Sequence, residues 1–309
     1  MKTFVIVLLT ICLFGCAPAS NKSVDAYNAD PVATDTIRIS TCYSCERLTK
    51  KWIDEYHKIH SDVHFKLNIN ESSSCLASLN ETSDIAMISR ELTMEEESAG
   101  YCVASVAKHG VVLIINEHNP YIDYLKDGVT KEAITEVFKK GTWYPVTKQE
   151  KYPLNFYYRP SRAGNTWNLL NFLDINIDNL TGKSVETESD MINAVRNDIY
   201  GLGYCSHIHA YDPETNAQVS GIKVLPIKDY YGLTHHFYDS LNLLKHAICY
   251  GRYKFHLYPT IYLTMKTKPN DENIRSFVRW IFTDAQPIVE SEGYIKLGQS
   301  EIGCRIKDI

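Results

Sequence analysis

The stretch Asn155–Leu169 reads NFYYRPSRAGNTWNL. Its aromatic run, Phe156, Tyr157 and Tyr158, predicts a short strand. A polar turn follows, carrying Arg159, Ser161, Arg162, Gly164, Asn165 and Thr166. Trp167, Leu170, Asn171 and Leu173 then fall at i, i+3, i+4 and i+6, the spacing of a helix. Strand, Gly-containing polar turn and helix together make a cradle for an anion. The helix start offers unpaired N–H groups and a partial positive charge, the hydroxyls donate, and an arginine adds a full charge. An ordinary strand-to-helix turn with solvated arginines has the same spacing, so the rest of the chain has to decide.

Working outward, hydroxyl-rich turns recur where strands give way to helices. Thr36–Ser40 alternates as a strand and leads into Thr41–Glu46; Leu48, Trp52, Tyr56 and Ile59 then mark an amphipathic helix. Val63, Phe65, Leu67 and Ile69 alternate strictly, a strand with one buried face, and Ser72-Ser73-Ser74 follows ahead of a short helix, Leu76–Leu79. Asp84–Ile88 is an apolar strand ending at Ser89-Arg90, and Val111–Ile115 is a continuous apolar run that predicts a strand buried on both faces. Helices are expected at Lys131–Phe138, at Ser189–Asn197 and through Ile274, Phe277, Val278, Ile281 and Phe282. Ile199–Cys205, with two glycines, suggests a tight backbone passage. Strands alternating with helices predict α/β architecture with mostly parallel sheet. Serine and threonine are ordinary helix caps. Several such turns at the carboxyl ends of strands are also where open sheets bind ligands.

The chain has 309 residues, 44% hydrophobic and 22% charged, which suits a soluble protein of two domains. A net charge of −5 gives no basic surface for nucleic acid. It does not forbid an anion site, because local donors act at close range while the global field is screened within about 8 Å. At the start, Lys2 precedes an apolar run, Phe4–Phe14, too short to remain as a transmembrane helix. Leu13-Phe14-Gly15-Cys16 resembles a bacterial lipobox, with Phe14 bulkier than usual, and makes Cys16 the expected lipidated residue. Ala17–Asp35 reads as a polar tether.

In their order, these segments resemble the phosphate-binding receptors of ABC transporters, the PstS-like branch of the periplasmic binding proteins. The likeness runs from about Thr36 to Leu297. Ile37–Tyr56 stands where the family has its first ligand turn and helix, and Asp84–Arg90 with Glu96 resembles its Asp-Ile-Ala…Ser-Arg…Glu segment. Gly110–Pro120 resembles the strand leading into the second lobe, and Arg159–Thr166 occupies the place of its anion loop. Asp198–Tyr204 and Phe277–Leu297 match its later segments. The resemblance implies a type II fold: two α/β lobes with mixed sheets, joined by crossover hinge strands and closing on an anion. It implies a first lobe of residues 36–108 plus 250–309 and a second of 109–249, after a signal peptide (1–15) and a lipidated linker (16–35). The ligand residues it implies are Thr41, Ser44, Ser72, Ser89, Arg90, Arg159, Gly164, Asn165 and Thr166, with Arg159 supplying the main charge.

Three departures bear on the ligand. The family's Ser-Gly-Thr reads Ala163-Gly164-Asn165, which removes one hydroxyl. The acidic residue usual two positions after the loop arginine is Ser161. Where the best-studied branch has a carboxylate that accepts the proton of hydrogen phosphate and so rejects sulfate, this chain has Arg90. Arg90 either faces the ligand or turns away into a salt bridge. These departures keep the oxyanion site that the resemblance implies and remove the simple basis for choosing phosphate over sulfate.

Of nine cysteines, Cys12 leaves with the signal peptide and Cys16 takes the lipid, leaving seven, an odd number. Cys75 could pair with Cys42 or Cys45. Cys42-Tyr43-Ser44-Cys45 is a C-x-x-C at a helix start, where a thiolate is stabilised. Cys205-Ser206-His207-Ile208-His209 and His235-His236 resemble metal ligands, without the acidic partners of a closed site nearby. No Ser-His-Asp set, G-x-S-x-G or P-loop occurs, which argues against an enzyme. The reading is a monomeric, lipid-anchored receptor, without cofactor or metal, that delivers phosphate or a related oxyanion to a membrane permease. The alternatives are an envelope thiol- or metal-binding protein using Cys42 and Cys45, and a sensor or adhesion protein on the same fold.

Overall fold

The computed structural model describes residues 36–79, 81–143, 152–160, 163–228, 231–232, 236–250, 252–253 and 257–298. Cys16, Ser161, Arg162, His235 and Cys304, and the whole expected signal peptide and tether, lie outside them. In chain order the strands are β1 (Thr36–Cys42), β2 (His64–Asn70), β3 (Ile85–Ile88), β4 (Cys102–Lys108), β5 (Val111–Asn116), β6 (Thr142–Trp143), β7 (Tyr152–Pro153), β8 (Asn155–Tyr158), β9 (Lys183–Ser184), β10 (Gly201–Ser206), β11 (Ile222–Leu225) and β12 (Thr260–Met265). The helices are α1 (Glu46–Ile59), α2 (Ser72–Ser78), α3 (Met94–Ser98), α4 (Ile122–Leu125), α5 (Lys131–Lys140), α6 (Gly164–Leu173), α7 (Glu188–Asn197), α8 (His207–Ala210), α9 (Leu241–Cys249), α10 (Glu272–Phe282) and α11 (Gln286–Ser291). Among the described residues, no helix is long and apolar enough to cross a membrane.

Two five-stranded sheets organise these elements, in the orders β2-β1-β3-β12-β4 and β11-β5-β10-β8-β9. Both are mixed. β1 runs parallel to β2 and β3, whereas β12 is antiparallel to β3 and β4. In the second sheet β8 is parallel to β10 and β9, whereas β5 is antiparallel to β10 and β11. The chain crosses from the first sheet to the second at His109-Gly110, and it is back at Pro259 before β12. The two passages lie side by side: the His109 N–H donates to the Pro259 carbonyl at 3.1 Å and the Val111 N–H to the Leu257 carbonyl at 2.7 Å. A pair of short crossing segments between two sheets is the geometry of a hinge.

Each sheet has its own apolar core. In the first, α1 buries Leu48, Trp52 and Tyr56, and Tyr56 meets Phe277 of α10 edge to face at 5.0 Å. Full burial of each such side chain contributes about 1.5–3 kcal/mol. The expected apolar stripe stops one turn early, since Ile59 ends the helix at 61% exposure. In the second sheet, β5 lies between β11 and β10 and is buried along its whole length. The close passage suggested by the glycines of Ile199–Cys205 is a strand, β10, against which α7 packs so closely that a Cβ at Gly203 would collide with Met191 Sδ. Thr187 and Asp190 form a capping box that starts α7 at Glu188 and fixes that residue over the end of β10.

Candidate functional site

The hydroxyl-bearing ends of the first sheet meet the start of α6 from the second. Ser72 opens α2; the serine turn read from the sequence is in fact the first turn of this helix. Ser89 follows β3, and its N–H donates to Ser72 Oγ at 3.5 Å. Both serines are fully buried. Gly164 lies directly against them: a Cβ there would sit 2.6 Å from Ser89 Oγ and 3.0 Å from Ser72 Oγ. Only glycine permits this approach, so the two halves of the cleft are closed on each other. Asn168 adds a second tie, donating from Nδ2 to the Ser89 carbonyl at 3.0 Å.

The first hydrogen bond of α6 runs from the Trp167 N–H to the Ala163 carbonyl at 3.0 Å. The helix itself therefore does not use the N–H groups of Gly164, Asn165 and Thr166. Asn165 is fully buried, and its Oδ1 has no hydrogen-bond partner among the described residues. Two serine hydroxyls, three helix-start N–H groups and their dipole form a set of donors suited to an oxyanion.

Arg159 is placed by a closed ring of contacts. Its N–H donates to Tyr204 OH at 3.0 Å, Tyr204 OH lies 2.6 Å from Thr166 Oγ1, and Thr166 Oγ1 donates to the Arg159 carbonyl at 3.2 Å. Thr166 thus spends its hydroxyl on holding the loop. Tyr204, deeply buried, has its phenol pushed up to about 12. The Arg159 guanidinium, 1% exposed, pairs with two carboxylates, Glu71 Oε1 at 2.6 Å and Glu188 Oε1. Glu188 also accepts from Asn165 Nδ2 at 2.7 Å and from the Ser206 N–H at 3.2 Å. The Tyr43 ring covers the guanidinium at 5.2 Å. Burial pulls the arginine down, but the charges of Glu188 and Glu71 outweigh it and hold its pKa above the ordinary value. Arg159 therefore does not bring an unmatched charge to the cleft; it ties Glu71 of the first half to Glu188 of the second. Sequence reading missed both glutamates, as well as Tyr43 and Tyr204. The only signal for Glu188 was its place at an acidic helix start.

The remaining expected ligand residues divide. Arg90 takes the salt bridge: Nη1 and Nη2 donate to Glu96 at 2.7 Å each, and Nη2 also donates to Ser73 Oγ at 3.0 Å. Glu96 is held below the usual carboxylate range: burial raises it, but Arg90 and Thr93 outweigh that. Thr41 is turned away from the cluster. Thr49 Oγ1 donates its one proton to the Cys45 carbonyl at 2.9 Å, so the 2.9 Å contact between the threonines consumes the Thr41 proton. The reason is the two-residue period of β1, which sends Thr41 toward α1 and Cys42 toward Ser89. Cys42 Sγ lies 3.4 Å from Ser89 Oγ. Ser44 is buried in the same turn, its carbonyl accepting from Tyr294 OH at 2.9 Å.

The cysteines depart from the expected pairing. Cys42, Cys45 and Cys75 are all free thiols, and the close contact is Cys42 to Cys45, with sulfurs 3.3 Å apart. Among the described residues, no group of three or more His, Cys, Asp or Glu side chains is placed to hold a metal ion. His207 instead serves the hinge: Nδ1 accepts from the Gly110 N–H at 2.7 Å and Nε2 donates to the Gly293 carbonyl at 2.9 Å.

Two mixed α/β sheets joined by paired crossovers define the two-lobed fold of the periplasmic binding proteins. The chain belongs to the family described as PBP superfamily domain, matched over residues 27–285. It is 26% identical over 137 residues to "Phosphate-binding protein PstS 2" of Streptococcus agalactiae serotype V; that match covers 43% of this chain and 44% of the relative. The fold is shared with a Clostridium perfringens protein described as a phosphate ABC transporter substrate-binding protein with bound phosphate (TM-score 0.71, 20% identity, 85% of this chain and 100% of that one). It is shared too with an ABC-type phosphate transport receptor from Vibrio cholerae (TM-score 0.64, 17% identity, 84% and 100%).

Proposed function

We propose that this chain is an extracytoplasmic receptor that closes its two lobes on phosphate and delivers it to an ABC importer, without performing chemistry on it. The observation that carries the reading is the convergence at Gly164: the Ser72 and Ser89 hydroxyls from one lobe meet the helix-start N–H groups that the α6 ladder does not use, from the other. The bound phosphate described for the Clostridium protein of the same fold supports the choice of ligand. Ser72, Ser89 and the amides of Gly164, Asn165 and Thr166 bind the oxyanion. Arg159 orders the site through Glu71 and Glu188, and Arg90 braces the rim through Glu96. Lobe 1 comprises residues 36–108 and 250–309, lobe 2 residues 109–249. The mature protein is a monomer tethered through lipidated Cys16 and a linker of residues 16–35.

Calorimetric titration of the mature protein, freed of bound anion, with phosphate and then sulfate tests this. Phosphate binding that Ser72→Ala and Ser89→Ala each weaken at least tenfold, about 1.4 kcal/mol, is the expected result. Binding of neither anion would overturn the reading. Sulfate binding alone would keep the receptor and change its ligand.

A further inference from the structure

The turn between β1 and α1 carries chemistry that anion capture does not use. Cys42 ends β1 and Cys45 caps α1, and the turn is closed by the Cys45 N–H donating to the Cys42 carbonyl at 2.8 Å. The two sulfurs, 3.3 Å apart, are both reduced and buried. A disulfide has sulfurs about 2.05 Å apart. Closing that gap needs roughly 1.3 Å of side-chain movement across an already formed turn. Cys42 is also the member of the pair that faces the cleft, touching Ser89 Oγ at 3.4 Å, and Ser89 is itself covered by Gly164 of the other lobe. In a receptor that opens, as proposed above, parting of the lobes lifts Gly164 off Ser89 and Ser72, the two residues that stand between it and Cys42.

The two thiols are unequal. Burial alone pushes the Cys42 thiol up, but hydrogen bonds from Cys45, Ser89 and Ser72 and from the Cys45 backbone outweigh it and bring it down to about 7. Burial, with the neighbouring Cys42, pushes Cys45 well up, and Cys75 is likewise pushed up by burial first. One sulfur is thus ready as a nucleophile, and a protonated partner lies beside it to resolve the product.

We propose that Cys42 and Cys45 form a thiol–disulfide exchange site in the wall of the cleft, oxidised by low-molecular-weight disulfides when the lobes part. The Cys42 thiolate attacks one sulfur of the external disulfide, whose S–S bond breaks and releases one thiolate. The Cys45 sulfur then attacks Cys42 in the mixed disulfide, expelling the second thiolate, which takes up the Cys45 proton. The protein loses two electrons and two protons, and the external disulfide is reduced to two thiols.

The test uses the full mature protein with oxidised glutathione, followed by alkylation, trypsin and mass spectrometry. Cleavage after Arg38 and Arg47 places both cysteines in one peptide, Ile39–Arg47. The expected product is that peptide lacking two hydrogens and refusing the alkylating agent. Cys45→Ser should accumulate a stable glutathione adduct on Cys42, whereas Cys42→Ser should leave Cys45 unreacted. Gly164→Ala, which props the lobes apart, should speed the wild-type reaction. Recovery of Ile39–Arg47 with both thiols alkylated, a cross-link to the peptide carrying Cys75, or no adduct in Cys45→Ser would each overturn the proposal. None of these readouts depends on which anion the cleft binds.

Discussion

Gly164→Ala is the sharpest test of the cleft. The added Cβ would lie 2.6 Å from Ser89 Oγ, 3.0 Å from Ser72 Oγ and 3.2 Å from the Ser89 carbonyl oxygen, where ordinary contact begins near 3.4 Å. Rotating a serine relieves the first two contacts only by re-aiming a ligand donor, and the third is backbone. Relief by parting the lobes needs about 0.8 Å at Ser89. A hydrogen bond of about 2.8 Å stretched by that amount reaches about 3.6 Å and ceases to count. Two hydrogen bonds to a charged ligand at about 1.5–3 kcal/mol each would be lost, about 3–6 kcal/mol in all. At 1.4 kcal/mol per tenfold, phosphate affinity should fall by about 100-fold or more. The same parting stretches the Asn168–Ser89 and Arg159–Glu71 ties, so the empty protein should unfold at lower denaturant, with a loss smaller than the about 3–5 kcal/mol of a broken buried ion pair. Calorimetry with phosphate, beside denaturant unfolding of the empty protein, separates the two effects. A dissociation constant within about threefold of wild type, less than 1 kcal/mol, would refute closure on the ligand at this glycine.

Arg159→Ala leaves Glu71 and Glu188 buried without their shared cation, and unfolding titrations should show a loss of about 3–5 kcal/mol. Adding Glu188→Gln to that variant should recover part of it. Thr41→Val, which removes a hydroxyl already spent on Thr49, should cost about 1 kcal/mol of stability and leave phosphate affinity unchanged; a tenfold loss of affinity would restore Thr41 to the ligand set. Burial depresses His109 to about 3 and His207 to about 4, below their unfolded value of about 6.5. The unfolded chain therefore binds protons first as pH falls. Stability should be full above pH 6.5 and drop between there and about pH 4, by about 1.4 kcal/mol per pH unit for each histidine. Denaturant midpoints measured across that range should flatten in His207→Asn, and an unchanged slope would count against it.

The alternation of strands and helices, the buried run at Val111–Ile115 and the helix of Phe277, Val278, Ile281 and Phe282 were legible because burial imposes a period on the chain. Ser72, Ser89 and Gly164 are singled out by the family resemblance, position by position, because serines and glycine at strand-to-helix turns serve equally as ordinary helix caps. The chain alone could not assign partners, which depend on residues far apart in sequence. Glu71 and Glu188 reach Arg159 across 88 and 29 positions of the chain. The spacing of an isolated glutamate carries no mark of the cation it will meet. The same holds at β1, where Thr41 and Cys42 are neighbours of similar size. Strand pleat turned Thr41 toward Thr49 of α1 and Cys42 toward Ser89, so local sequence determined the strands and the polar turns that end them, while the approach of the two sheets, each with its own core, decided which atoms of those turns meet.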